Sequence, residues 1–279
     1  MALFAVLFLV VYSVAGFFWP DYRPAGFGWR EAWGMAALIS FFLRLRVFDE
    51  IKDYAPDSVN HPHRVLQSGR VTVKQLIAIT LAGGFIELTW SVAMGIPTLI
   101  GWLLAVSYSL LMRYEFFVSG YLQKRLVLYA LTHLLIMPLV VGWIWSAYVP
   151  NYGLTHALLL LAALSLLGGF AFEIARKLHT PETERERIDS YSKLMGYRTA
   201  IVTVLLVLLL SVAVQYRLLV MLRAGALPFV VIGLLYLLTL GIYFFAIAKP
   251  QEKTLKAAEV LVSVAMVVSY LSIILVVNV

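Results

Sequence analysis

Nine apolar stretches, at about 2–18, 31–48, 73–94, 98–112, 126–147, 154–174, 198–215, 227–247 and 258–278, leave this chain few folds to choose from. They approach the roughly 20 apolar residues that a helix needs to cross a bilayer, several falling somewhat short. The chain has 279 residues, 62% of them hydrophobic and 13% charged, with a mean hydropathy of +0.90. That is far too apolar for a soluble domain of this size. In hydrocarbon the backbone must satisfy its own hydrogen bonds, and helices do so within each segment. The expectation is therefore an all-α polytopic membrane bundle of about nine transmembrane helices, with 1–279 as a single domain. Cysteine is absent, which excludes a disulfide framework and thiolate chemistry.

The connections alternate in character. Pro20, Pro24, Gly26 and Gly28 punctuate the first, Gly95-Ile96-Pro97 makes another very short, and Pro150-Asn151-Tyr152-Gly153 does the same later. Between them lie longer polar stretches at 49–72, 113–125 and 175–197, and a shorter one at 248–257. The Met1-Ala2-Leu3-Phe4 start lacks the basic region of a cleaved signal peptide, so it reads as a retained first span. With the N-terminus cytoplasmic, only Arg23, Arg30, Arg217 and Arg223 fall outside, leaving 18 of the 22 Lys and Arg inside. The positive-inside bias then makes both acidic loops cytoplasmic. It also accounts for the net charge of +7 without nucleic acid as a partner.

The polar stretch after the second span is the chemically dense one. Asp49, Glu50, Asp53 and Asp57 place four carboxylates within nine residues, where the apolar run ends. On a helix, Asp49 and Asp53 are i,i+4 and Glu50 and Asp53 are i,i+3, so the three project from one surface. Carboxylates crowded this way repel unless a cation joins them. Mg²⁺ is suited to such a group, because it takes one or two carboxylates, keeps waters and borrows substrate phosphate oxygens. Pro56 lies between Asp53 and Asp57, and helical register is expected to weaken near Ala55, bringing Asp57 in from a loop.

The order of residues resembles the UbiA-type intramembrane prenyltransferases. Their first signature reads Asn-Asp-x-x-Asp-x-x-x-Asp, then Asn-x-x-x-Arg-Pro-x-x-x-Gly. Here it reads Asp49-Glu50-x-x-Asp53-x-x-x-Asp57, then Asn60-His61-Pro62-His63-Arg64-Val65-Leu66-Gln67-Ser68-Gly69, with Val65 in place of the family's Pro. In the loop after the sixth span, Ser190-Tyr191-Ser192-Lys193-Leu194-Met195-Gly196 looks like the closing part of the second signature. The Asp-rich part departs from it: Glu173 is followed by Arg176-Lys177, and Glu182, Glu184 and Glu186 come later with alternating Arg. That stretch reads as a solvated charged loop. Tyr121-Leu122-Gln123-Lys124-Arg125 loosely resembles the family's middle cytoplasmic loop.

The resemblance implies a bundle around a central cavity open to the cytoplasmic face, in which an allylic prenyl diphosphate loses diphosphate with Mg²⁺ assistance. It implies Asp49, Glu50, Asp53, Asp57 and Glu173 as catalytic metal-holding residues, and Arg64, Lys124, Arg176 and Lys177 as diphosphate partners. Arg44 and Arg46, before the motif, read equally as phosphate clamps, with Arg46 the diphosphate candidate of the two, and as side chains snorkelling to headgroups. Glu87, Tyr108, Tyr129, His133, Ser190 and Tyr191 are candidates for the prenyl or acceptor region. Each has a plainer reading, with Glu87 as a structural acid and His133 as a hydrogen-bonded core histidine. The expected activity is prenyl transfer to a small or lipid acceptor that the sequence does not identify, in the lipid bilayer. A UbiA-type terpene cyclase that needs no acceptor is the alternative, and a non-catalytic lipid-binding or transport protein is a further one.

Overall fold

In the computed structural model, residues 2–20, 26–149, 154–184 and 190–278 are described. The Pro24, Pro150–Gly153 and Arg185-Glu186-Arg187 features of the sequence fall outside them. The described residues form thirteen α-helices, a short 3₁₀ turn (Glu115–Phe117) and no strand. The first, α1 (Ala2–Phe18), is followed by α2 (Trp29–Lys52), a short α3 (Tyr54–Asn60), α4 (Val73–Met94) and α5 (Ile96–Arg113). After a turn come α6 (Ser119–Leu122), α7 (Leu126–Leu134), α8 (Ile136–Trp145) and α9 (His156–Arg176). The chain ends with α10 (Tyr191–Met195), α11 (Tyr197–Met221), α12 (Ala226–Ala248) and α13 (Glu252–Asn278).

Seven segments are long and apolar enough to cross a membrane: α4, α5, α7 with α8, α9, α11, α12 and α13. Apolar but short α1, and α2 with its charged last turn, complete the nine expected from the sequence. Large apolar side chains such as Leu81, Phe85, Leu206, Leu238 and Phe244 stay exposed on the outer faces, as lipid contact requires.

The sequence signals act locally as expected. Thr72 and Gln75 form a capping box at the start of α4, with Thr72 Oγ1 accepting from Gln75 N at 3.3 Å and Gln75 Oε1 accepting from Thr72 N at 2.8 Å. Gly95, at φ +109°, reverses the chain between α4 and α5 in one residue. The fifth apolar run does not make one helix. Pro138 lies in the first turn of α8, where its ring would clash with the Leu134 carbonyl of an unbroken helix, and the chain breaks at Leu135.

Each long helix packs on its successor, and α13 returns to α1, which closes a ring; α1 also meets α8, and α9 meets α13. The larger core, with Phe8, Phe41, Trp90, Trp143 and Trp145, draws on α1, α2, α4, α8, α9 and α13. Gly34 lets α2 approach α4 closely, since a Cβ there would lie 2.5 Å from the Trp90 indole. A second core joins α9, α11, α12 and α13 around Ile174, Ile201 and Tyr243. The C-terminal ends of α2 and α9 and the start of α7 share one end of the bundle.

Candidate active site

The last turn of α2 runs past the apolar stretch and carries Asp49, Glu50 and Lys52. Backbone hydrogen bonds continue the helical turns from Asp53 N to Asp49 O (2.9 Å) and from Asp57 N to Asp53 O (2.9 Å). The break falls at Asp53, not near Ala55 as the sequence suggested. Pro56 is accommodated in the first turn of α3, where a missing N–H costs nothing. Asp57 consequently sits on a helix rather than a loop, buried at 8% exposure, and accepts a hydrogen bond from Arg64 Nη1. Arg46 is likewise bound to Glu50, one turn along α2.

Asp49 and Asp53 are therefore the carboxylates of this motif that form no ion pair among the described residues. Asp49 is accessible, yet the protein around it displaces bulk water, and this desolvation holds its carboxyl above the usual carboxylate range. Lys52 and Arg46 oppose the shift, and Asp53 and Glu50 reinforce it.

Lys52 reaches across the mouth. Its Nζ donates to Tyr129 Oη on α7 at 3.1 Å and lies 3.4 Å from Glu115 Oε1. Glu115 begins a turn in which three successive residues, Glu115, Phe116 and Phe117, have φ of 48°, 54° and 60°. For residues with a Cβ this left-handed turn costs about 1–2 kcal/mol per residue. It is held by Lys52 and by Gln123 Nε2, which donates to Glu115 Oε2 at 3.0 Å. The turn presents the Phe116 ring to Tyr108 (5.4 Å between centroids) and to His133 (6.1 Å), while His133 stacks on Tyr129 at 4.0 Å. Tyr108 Oη donates to Thr132 O at 2.6 Å.

The second acidic segment faces the same space. The charge of Glu173 on α9 reaches His133, along with those of Lys52 and Glu115, and the charge of Asp49 reaches Tyr129. Glu173 is bound by Arg176 Nη2 at 2.6 Å and Lys177 Nζ at 2.8 Å. The Tyr191 side chain is fully buried near Glu173 and Arg176, and its hydroxyl has no hydrogen-bond partner among the described residues. Ser190 caps α10, accepting from Lys193 N at 3.0 Å, and its hydroxyl donates to the Glu184 carboxylate at 2.8 Å. Glu184 is thus a tether for the cap rather than part of a wholly solvated run, whereas Glu182 is exposed. Lys124 and Ser190 line a hollow of about 510 Å³ beside the mouth, with Gln123 and Lys193.

Glu87 is not at the mouth. It is 0% exposed and salt-bridged to Arg44 Nη2 at 2.7 Å; Trp102 Nε1 donates to it at 3.0 Å and Ser40 Oγ at 3.2 Å. Arg44 Nη1 also donates to Ser109 at 3.1 Å, and its guanidinium lies 4.7 Å from the Phe41 ring centroid. Arg44 accordingly neither snorkels nor faces the mouth: with Glu87 it braces α2 against α4 and α5. Lys52 and Glu115 are the site residues that sequence reasoning passed over. Lys52 sits inside the acidic motif, and Glu115 is the one acid between Glu87 and Glu173.

No group of three or more acids and histidines forms a ready-made metal cage among the described residues. Mg²⁺ does not need one, because one or two carboxylates suffice when a substrate supplies phosphate oxygens. Asp49 and Asp53, unpaired and mutually repelling, fit that role. Glu173, already held by two cations, fits it less well, and its Arg176 and Lys177 are suited to phosphate.

Comparison with known proteins bears on the whole chain. The model of the UbiA prenyltransferase family matches residues 2–267. A structure reported as digeranylgeranylglyceryl phosphate synthase in membranes shares 16% identity and a TM-score of 0.71, covering 99% of this chain and 94% of that one. A UbiA homolog from Aeropyrum pernix K1, also at 16% identity, aligns with a TM-score of 0.65 over 94% of this chain and 97% of its own. These two similarities speak for the fold. No curated protein sequence matches.

Proposed function

The chain belongs to the UbiA prenyltransferase family, and from that premise we propose that it is a Mg²⁺-dependent intramembrane enzyme that ionises an allylic prenyl diphosphate and transfers the prenyl group to an acceptor. The observation that carries this reading is that Lys52, inside the first acidic stretch, is tied to Tyr129 of α7 and to Glu115, and that His133, stacked on Tyr129, lies within electrostatic range of Glu173 on the second. Asp49 and Asp53 would hold the metal, with Glu50 and Asp57 beside them in the pairs with Arg46 and Arg64. Mg²⁺, when bound, neutralises charge that develops on the leaving diphosphate. Arg64, Arg176, Lys177 and Lys124 add fixed cations around the same oxygens. The rings of Tyr108, Phe116 and Tyr129 border the space above, where a π face stabilises a passing carbocation and the apolar surroundings keep water from it. Residues 1–279 act as one domain.

Product analysis tests the reaction. Purified protein is given geranyl, farnesyl or geranylgeranyl diphosphate with Mg²⁺, alone and with a hydroxybenzoate, a dihydroxynaphthoate or a glycerol phosphate ether. The expected result is one prenylated product per diphosphate released when the right acceptor is present, and slow hydrolysis to the alcohol without it. Efficient acceptor-free conversion to a cyclic hydrocarbon would instead establish a terpene cyclase, and binding without diphosphate release a lipid-binding protein.

Orientation follows from the cation count. Reporters inserted in 54–60 and 182–188 are expected to be cytoplasmic, and one in 150–153 external. Reports from opposite sides for the two acidic loops would end the shared-site reading.

A further inference from the structure

His133 carries more than the packing role common for a lone histidine in an apolar span. Its Nδ1 lies 2.9 Å from the Tyr129 carbonyl oxygen. A carbonyl can only accept, so Nδ1 holds the proton and Nε2 keeps a free lone pair. Thr132 Oγ1, 3.5 Å from Nδ1, spends its own proton on the Leu128 or Tyr129 carbonyl, each at 2.9 Å, and leaves this tautomer in place. The ring is clamped between Tyr129, stacked at 4.0 Å, and Phe116, edge-on at 6.1 Å. Phe116 is held there by a left-handed turn that the chain tolerates at a cost of several kcal/mol. The break at Leu135 comes only two residues later, so His133 lies where the helix wall of the span is interrupted. The charged groups facing it are Lys52 from α2, Glu115 from the turn and Glu173 from α9.

We propose that His133 is the general base of the transfer step, acting on a hydroxyl acceptor. The inference rests on the prenyltransferase reading and names its missing proton acceptor. The C–O bond to diphosphate breaks first, and the acceptor oxygen then forms a C–O bond to the allylic cation. The electron pair of the broken bond leaves on the diphosphate, and the hydroxyl proton passes to His133 Nε2. The Tyr129 carbonyl, accepting from Nδ1–H, steadies the imidazolium that forms.

The test uses His133→Asn, whose side-chain N–H retains a donor for the Tyr129 carbonyl but offers no base, alongside His133→Gln. Transfer to the hydroxyl acceptor is expected to fall by about 10²–10⁴-fold in both. Mg²⁺-dependent binding of a prenyl thiolodiphosphate, which resists ionisation, is expected to stay at the parent value. Transfer by His133→Asn within about twofold of the parent would show a structural histidine and overturn the proposal. A second measurement needs no acceptor: ¹⁵N spectra of the histidine-labelled protein are expected to show His133 as the Nδ1–H tautomer. An Nε2–H tautomer would also overturn it. Absence of diphosphate release from the parent would instead sink the prenyltransferase reading itself, so the two failures are told apart.

Discussion

Asp53→Asn is expected to slow diphosphate release by about 10²–10³-fold, the loss seen when one well-placed charge-stabilising group is removed from an active site, while the protein folds as before. Asp53 joins α2 to α3 as C-cap and N-cap, but its side chain makes no capping hydrogen bond, and the turn is held by backbone contacts from Asp53 N to Asp49 O and Asp57 N to Asp53 O. Asparagine preserves those contacts and one oxygen, and removes only the charge that a hard cation requires. Asp53 is exposed and unpaired, so its replacement breaks no salt bridge. Glu184→Gln is the control on the second loop. Its amide oxygen can still accept from Ser190, so near-parent release is expected there. Detergent-solubilised yield and melting temperature report the folding of both variants. An active Asp53→Asn with a dead Glu184→Gln would place the catalytic centre on the wrong loop.

Glu87→Leu is expected to be the most damaging single change to stability. Arg44 is 7% exposed, and with Glu87 gone its guanidinium would remain among α2, α4 and α5 without its counter-charge. Breaking a buried pair from one side costs about 3–5 kcal/mol, whereas replacing both partners by apolar groups is often neutral. Arg44→Met with Glu87→Leu should therefore recover most of the thermal stability that either substitution loses alone. The pair also sets where the last turn of α2 stands, since Arg44 precedes Asp49 by about one and a half turns. Additive losses in the double variant would show that Arg44 and Glu87 do not act as a unit.

How much of this was legible in the sequence depends on the distance over which each residue acts. The apolar helices and the Gly95 reversal are local effects of hydropathy and backbone freedom, and the structure follows them, with seven helices long and apolar enough to span among the described residues. The structure pairs Asp57 with Arg64 seven residues on, a short-range contact that the motif's spacing allows. The helix break was misplaced because Pro56 restrains Ala55 only if the helix runs unbroken into it; an earlier break at Asp53 turns the same proline into a first-turn residue. The Arg44–Glu87 pair joins positions 43 apart, and nothing in either neighbourhood announces the other. Lys52 gains its place in the site only because α7 brings Tyr129 against it. Ser190 read as a substrate candidate, but its oxygen is spent on capping α10. Three left-handed residues at Glu115–Phe117 leave no compositional trace, since none of them is Gly or Asn.

The central claim is that the two acidic segments build one Mg²⁺-dependent diphosphate site. Its most direct measurement is diphosphate release from geranylgeranyl diphosphate by the purified protein in lipid, titrated with Mg²⁺ and then stripped with EDTA. Release that rises and saturates with Mg²⁺, stops on chelation and resumes when Mg²⁺ is restored is the predicted result. Release indifferent to EDTA, or no release from any prenyl diphosphate at saturating Mg²⁺, would contradict it.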